Sequence, residues 1–451
     1  MTITVLGTGY VGLTTATLFA HAGHTVYAVE PNQERLKIIK TGRSFFYETG
    51  LDALVAAAVS AGSLIPTDSY EESVPKSEVV FSSVGTPDNP DGSSNLTYVF
   101  AAATSAITLM KSHSVYVQKS TVPVGTGRSI EQSFASYKKN IAYVSNPEFL
   151  REGTALADSL FFDRIVVGAN DKKSAKTILN LYKTVENERL RIAELAGIHG
   201  NNTMGQYITT GRNSAELIKV TANAFLSLKI SFANSIAKLA DKTNADIKEV
   251  MSAVGADPRI GQAFLNAGRG YGGGCFPKDV SGLIASGLEH GVDLDIMQAS
   301  QAVNESMPGY IIEKLQEQLD GSLRSKKIAI LGLAFKAGTS DARRSPGIKI
   351  ANILQRLGAS AIVYDPEALK EAASDLEASI TTVKTIEAAI KDADAVIIAT
   401  DWPEFLAYDL SLIAQSMRGN LFVDAVNAFD IPTVEKVGLR YIGVGRNGEK
   451  L

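Results

Sequence analysis

The chemistry of this chain gathers around one thiol. Cys275 is the only cysteine, and it lies in the run Gly270-Tyr271-Gly272-Gly273-Gly274-Cys275-Phe276-Pro277-Lys278-Asp279. A lone cysteine is most often an inert small hydrophobe. Here four glycines allow close approach of a ligand. A helix is expected from about Asp279, and that helix start and Lys278 both favour thiolate over thiol. Pro277 and Asp279 also suit a first helical turn for purely structural reasons. A second pair, Lys219 and Asn223, is spaced i, i+4 on a long helical stretch and shares one face. Buried polar groups need partners. The spacing fits a satisfied structural pair as well as a catalytic one.

Other polar groups follow β-branched runs. Gly85-Thr86-Pro87, Lys119-Ser120-Thr121-Val122-Pro123 and Asn146-Pro147-Glu148-Phe149-Leu150-Arg151-Glu152-Gly153 each succeed one. Each alone is a polar loop. Three in succession beyond the carboxyl ends of strands point to a site at one sheet edge. Phe335-Lys336-Ala337-Gly338-Thr339-Ser340-Asp341-Ala342-Arg343 follows a later strand, and its basic groups suit phosphate or plain solvation equally. Near the N-terminus, Gly7-Thr8-Gly9-Tyr10-Val11-Gly12 lies between a strand and a helix, and Glu30 closes the next strand. This is the dinucleotide-binding fingerprint in its proper setting. Gly7 serves the turn, Gly9 the approach of a pyrophosphate, and Gly12 the packing of helix on strand. The helix N-terminus offers free N–H groups to the phosphates. Glu30 suits the ribose hydroxyls and repels a 2′-phosphate, which favours NAD over NADP; Arg35 nearby weighs the other way.

The elements that must position these groups alternate. Strand-like runs at 3–6, 25–29, 79–83, 114–118, 141–145 and 164–167 are mostly separated by helical stretches, notably 14–22, 52–61 and 95–110. That pattern predicts a parallel sheet covered on both faces. Residues 198–213, rich in Gly, Asn and Thr, read as a loop. Residues 214–242 hold no Pro or Gly and are apolar almost all round, which predicts a buried helix about 44 Å long that joins two domains and packs against a second subunit. After 321–325 the alternation restarts, with strands at 327–333, 361–364, 395–400 and 421–424 and a helix at 348–357. The expected fold is α/β, with two doubly wound, Rossmann-like parallel-sheet domains joined by a long central helix. Its expected divisions are 1–200 for the dinucleotide, 213–318 for the helical dimerisation segment with Cys275, and 325–451 for a second ligand.

Composition sets outer bounds. The chain has 451 residues, 45% hydrophobic and 20% charged, with a net charge of −4. This is a globular composition, and the acidic balance argues against nucleic-acid binding. No apolar run approaches the ~18 residues of a membrane span. The scattered histidines and single cysteine predict no metal site. With no signal peptide at the N-terminus, the expected setting is the cytoplasm.

The segments GTGYVGL, KSTVPVGT, NPEFLREGTAL, AELIKVTANAFLSLKISFAN, GYGGGCFPKD and FKAGTSDARRSP together resemble the UDP-glucose/GDP-mannose dehydrogenase family, in its order and over essentially the whole chain. The resemblance implies oxidation of a nucleotide sugar's C6 alcohol to the carboxylate with two NAD, by a dimer or larger homo-oligomer. It implies Cys275 as nucleophile and Lys219 and Asn223 near C6. Thr121, Glu148 and Asp279 then serve water positioning and proton transfer. Beside the glycines 7, 9 and 12, it puts Val11, Glu30, Arg35, Thr86, Thr121, Glu152, Lys278 and Arg343 against NAD. The sugar nucleotide falls to Glu148, Phe149, Leu150, Arg151 and Glu152, to Phe264, Leu265, Asn266, Ala267 and Gly268, and to Gly272 and Lys336, with Lys219 and Asn223. Arg259 is similar to a family arginine that reaches the neighbouring subunit's sugar.

Departures are local. Asp424-Ala425-Val426-Asn427 has Val426 where the family often has Arg, which puts one contact to nucleotide or interface in doubt. Thr49 replaces a usual Pro, and the 198–213 segment looks longer than typical. Within the resemblance NPEFLREG argues against an N-acetylmannosamine substrate, and GYGGGCFPKD leans to UDP-glucose over GDP-mannose. The readings outside it are a one-step hydroxyacid dehydrogenase, which needs no cysteine, and a non-catalytic NAD-binding protein.

Overall fold

The computed structural model describes residues 1–137, 139–200 and 205–446. They divide into two compact units. In the first, eight strands form one sheet: β1 Thr2–Leu6, β2 Thr25–Val29, β3 Leu64–Thr67, β4 Val79–Ser82, β5 Val115–Gln118, β6 Ala142–Ser145, β7 Arg164–Ala169 and β8 Gln206–Thr210. The order is β3-β2-β1-β4-β5-β6-β7-β8. All pairs are parallel except β6–β7, which run antiparallel. Strand residues alternate between two apolar layers. Val5, Phe81 and Val117 enter one, while Leu6, Val80 and Tyr116 enter the other. Both faces are therefore buried, as a parallel sheet requires.

The order reverses at β1, which pairs with both β2 and β4. Leu6 is in register with Val29 on one side and Ser82 on the other. Gly7, Glu30 and Ser83 thus leave the sheet together at its carboxyl edge, where ligands of open α/β sheets bind.

The second unit holds six strands: β9 Lys327–Leu331, β10 Ser360–Tyr364, β11 Thr381–Thr382, β12 Ala395–Ile398, β13 Leu421–Asp424 and β14 Arg440–Gly443. Their order is β11-β10-β9-β12-β13-β14, with every pair parallel. The expected doubly wound pair of sheets is present.

A 32-residue helix, Arg212–Thr243, links the sequence of the two. Its residues up to Ala222 group with the first unit and those from Asn223 with the second. It is not buried all round, as its composition suggested. Ala215, Ala233, Ala237 and Ala240 are buried, but Leu217, Phe225, Phe232 and Leu239 are 44–59% exposed on another side. The expected loop at 198–213 also needs correction. Gln206–Thr210 is β8, paired with β7, and the helix already starts at Arg212; residues 201–204 lie outside the described residues. Among the described residues no helix is long and apolar enough to cross a membrane.

Candidate active site

In the first unit the glycine turn is built by close approach. Gly7 has φ +84°, and a Cβ there would meet the Ser83 carbonyl at 2.8 Å. A Cβ on Gly12 would come within 1.9 Å of the Gly7 carbonyl oxygen. Gly9 is different, because a Cβ there would touch nothing within 4 Å. Gly9 precedes the helix Tyr10–His21, and no side chain caps that N-terminus. Open space beside uncapped N–H groups fits a pyrophosphate. Buried Glu30 accepts from the Asn32 N–H at 2.9 Å and from the Thr8 hydroxyl. Arg35 stacks its guanidinium 4.7 Å from the Phe45 ring centre. Val11, Thr86, Thr121 and Glu152 are half-buried in this unit, whereas Lys278 and Arg343 belong to the other.

Beyond β6, Glu148 is fixed at both oxygens. One accepts from the Leu150 N–H at 2.7 Å, and the other lies 2.9 Å from the Lys219 ammonium. Phe149 lies between cations, with Arg164 3.9 Å and Lys219 5.5 Å from its ring centre. Arg151 turns onto its own loop and pairs with Asp158 at 2.6 Å. Two further carboxylates hold this edge. Glu48 accepts from the Gly153 and Leu156 N–H groups at 3.0 and 3.1 Å, just after the Glu148–Glu152 stretch. Glu216, one turn before Lys219, accepts from the Gly125 and Gly127 N–H groups, both at 2.8 Å. Burial raises both carboxyls above the ordinary glutamate value. The sequence reading passed over both because each acts on backbone, which leaves no side-chain pattern to find.

In the second unit Asp279 is the hub. Its carboxylate accepts from the Asn223 amide at 2.6 Å and the Lys278 ammonium at 2.5 Å, and it is buried. Cys275 sits half-buried immediately before the helix Phe276–Glu289, and its carbonyl accepts the Asp279 N–H at 2.9 Å. The glycines before it are already required by the fold. A Cβ on Gly270 would strike the Asn304 side chain, on Gly272 the Arg344 carbonyl, on Gly273 the Phe335 ring and on Gly274 the Arg343 guanidinium. They admit the protein's own groups. Arg343 is in turn held by Asp341 at 2.6 Å.

A cavity of about 630 Å³ lies in the same unit. Phe264–Gly268, Lys336 and Val426 line it, but Gly272 and Arg259 do not. Arg259 points its exposed side chain at Asp257, 2.6 Å away. The cavity wall is pinned by groups the sequence reading did not single out. The Asn234 side chain accepts from the Gly268 N–H at 2.7 Å, and the Asn427 amide donates to the Ala267 carbonyl at 3.1 Å.

A glycine turn at a sheet switch point, an acid ending β2 and a polar edge beyond β4–β6 define a dinucleotide-binding domain of the doubly wound class, the kind that NAD-dependent oxidoreductases carry. The comparisons agree domain by domain. Residues 1–186 match the NAD binding domain of the UDP-glucose/GDP-mannose dehydrogenase family, 213–306 its central domain and 329–431 its UDP binding domain. The chain belongs to that family, and its cofactor is NAD. It is 38% identical to the UDP-glucose 6-dehydrogenase of Rhizobium meliloti (strain 1021), over 99% of this chain and 100% of that one. It is 37% identical to the UDP-glucose 6-dehydrogenase TuaD of Bacillus subtilis (strain 168), covering 98% and 93%. Among solved structures, a UDP-glucose dehydrogenase from Pyrobaculum islandicum superposes with a TM-score of 0.88 at 37% identity, covering 99% and 98%.

Proposed function

We propose that this chain oxidises the C6 alcohol of UDP-glucose to the carboxylate in two hydride transfers, with Cys275 as the covalent nucleophile. The full-length similarity to relatives named UDP-glucose 6-dehydrogenase carries the substrate. Bound NAD supplies the hydride acceptor, one molecule for each of the two transfers, and the glycine turn, Val11, Glu30, Arg35, Thr86, Thr121, Glu152, Lys278 and Arg343 are the residues proposed to hold it.

The rest follows from the chain's own groups. The C6 hydroxyl gives up its proton to Lys219, once that ammonium has passed its own proton to Glu148, or to a water held by Glu148 or Asp279, as hydride leaves carbon. The resulting aldehyde accepts the Cys275 sulfur. A C–S bond forms, and the carbonyl oxygen becomes an oxyanion stabilised by Lys219 and Asn223. Protonation gives a thiohemiacetal. Loss of its hydroxyl proton and a second hydride leaves a thioester. Water positioned by Thr121, Glu148 or Asp279 adds to that carbon. The C–S bond breaks, the carboxylate departs, and the thiolate is restored. The aldehyde stays tethered throughout. Glu148–Glu152, Phe264–Gly268, Gly272 and Lys336 are proposed for the nucleotide sugar, and Arg259 for the sugar of a partner copy in a cytoplasmic dimer.

NADH production with UDP-glucose, GDP-mannose and UDP-N-acetylmannosamine tests this. Two NADH per UDP-glucose are expected from wild type, whereas folded Cys275→Ala should still bind NAD but yield no carboxylate, because only the second oxidation and the hydrolysis need the thiol. Two NADH per sugar from Cys275→Ala would end the covalent route. Turnover of only one of the other sugars would replace the substrate.

A further inference from the structure

If the cavity of the second unit is the nucleotide-sugar site proposed above, its charges do not close at the positions the family resemblance supplies. A diphosphate carries at least two negative charges and needs cationic partners. The cations on the wall are Lys248, Arg269 and Lys336. Arg269 is committed elsewhere, because its buried guanidinium donates to the Phe335 carbonyl at 2.7 Å and to Ala334. The turn after β13 lines the wall with Ala425, Val426 and Asn427 and adds no cation. That turn cannot swing another group in. The Val426 N–H donates to Asp424, and Asn427 is tied to the Val444 backbone through both its amide atoms, at 2.8 and 3.0 Å.

Lys248 comes from the helix Ile247–Gly255, which abuts the same region: the Ile247 N–H donates to the Gly445 carbonyl at 2.7 Å. Asp246 caps this helix through the Lys248 N–H at 2.8 Å and takes the Arg446 guanidinium at 2.8 Å. Arg446 is therefore occupied, and Lys248 has a fixed backbone with an exposed side chain at the cavity wall. We propose that Lys248 is the second cation for the diphosphate, supplying with Lys336 the charge that Val426 does not.

Calorimetric titration with UDP and with uridine tests the assignment. Lys248→Ala should weaken UDP about tenfold, the scale of one charge-assisted hydrogen bond, and leave uridine unchanged. Lys248→Arg should hold near wild-type affinity, and Val426→Arg placed in Lys248→Ala should recover most of the loss. Unchanged UDP affinity in Lys248→Ala, with Lys336→Ala weakened, would overturn the role of Lys248 while sparing the site. Equal losses for UDP and uridine would reduce Lys248 to a structural residue. A wild-type chain that binds neither would overturn the site and the proposal together.

Discussion

The Lys219 ammonium lies 2.9 Å from Glu148, with 4% and 8% of the two side chains exposed. Each charge is left uncompensated if the other is removed, which costs about 3–5 kcal/mol for buried pairs. Lys219→Met and Glu148→Gln should each lose stability, and the double variant should lose clearly less than the sum of the two. Both single variants should also cut kcat by about 10²–10⁴-fold if the pair moves the C6 proton. Denaturant melts and steady-state rates on the same preparations check this. Additive stability losses would show that the two side chains do not act as a pair.

The glycines of the first turn separate folding from binding. Gly12→Ala puts a methyl 1.9 Å from a backbone oxygen that cannot move aside, so the folded yield should collapse. Gly9 has φ −63°, an ordinary value, and free space around its Cα. Gly9→Ala should melt within about 1 kcal/mol of wild type yet bind NAD at least tenfold more weakly, because the methyl fills the pyrophosphate's path. Fluorescence titration with NADH on melt-matched protein reads the difference. Full NAD affinity in Gly9→Ala would place the pyrophosphate elsewhere.

Glu216 gives a pH dependence of definite sign. Burial raises its carboxyl above the ordinary 4.5, against the opposing pull of the Gly125 and Gly127 N–H groups. The folded chain then holds the proton more tightly than the unfolded one. This contribution to stability is complete below about pH 4.5 and is withdrawn as pH rises through the folded value. Glu216→Gln removes the titration and keeps one acceptor. The stability of wild type minus that of Glu216→Gln should therefore decline as pH rises from about 4.5 through the raised folded value. A constant or rising difference would mean that the two N–H bonds outweigh burial.

The strands that could be read from the sequence are the central ones. Every interior strand of both sheets showed as a β-branched apolar run, because burial on both faces demands it. The four that escaped, β3, β8, β11 and β14, are the four sheet edges. Edge strands face water along one side and carry polar residues or proline. β3 is Leu-Ile-Pro-Thr, and β8 is Gln-Tyr-Ile-Thr-Thr. In the site, Cys275, Lys219 and Glu148 stood out by type, but their partners did not. The Lys219–Glu148 and Asn223–Asp279 contacts join residues far apart in sequence. The glycines before Cys275 were visible, yet their reason lay in Asn304, Phe335 and Arg343, which only the fold brings to them.

The long helix offers the last test. Leu217, Phe225, Phe232 and Leu239 recur every seven or eight residues, so they form one stripe along the helix. All four are 44–59% exposed in the single chain, while Ala215, Ala233, Ala237 and Ala240 on another side are buried. An apolar stripe of this length left in water favours association. Two copies that pack stripe to stripe bury the same residues on each chain, as a two-fold interface requires. A dimer is therefore expected by sedimentation at micromolar concentration. Phe225→Asp/Phe232→Asp should drive it to monomer, since each aspartate would have to be buried uncompensated. Both positions are exposed within the chain, so its own fold should survive, with near-native far-ultraviolet dichroism and retained NAD binding. If Arg259 completes the sugar site of a partner copy, the monomeric variant should also lose UDP-glucose turnover. A wild-type monomer, or a double-aspartate variant that stays dimeric, would remove this helix from the interface.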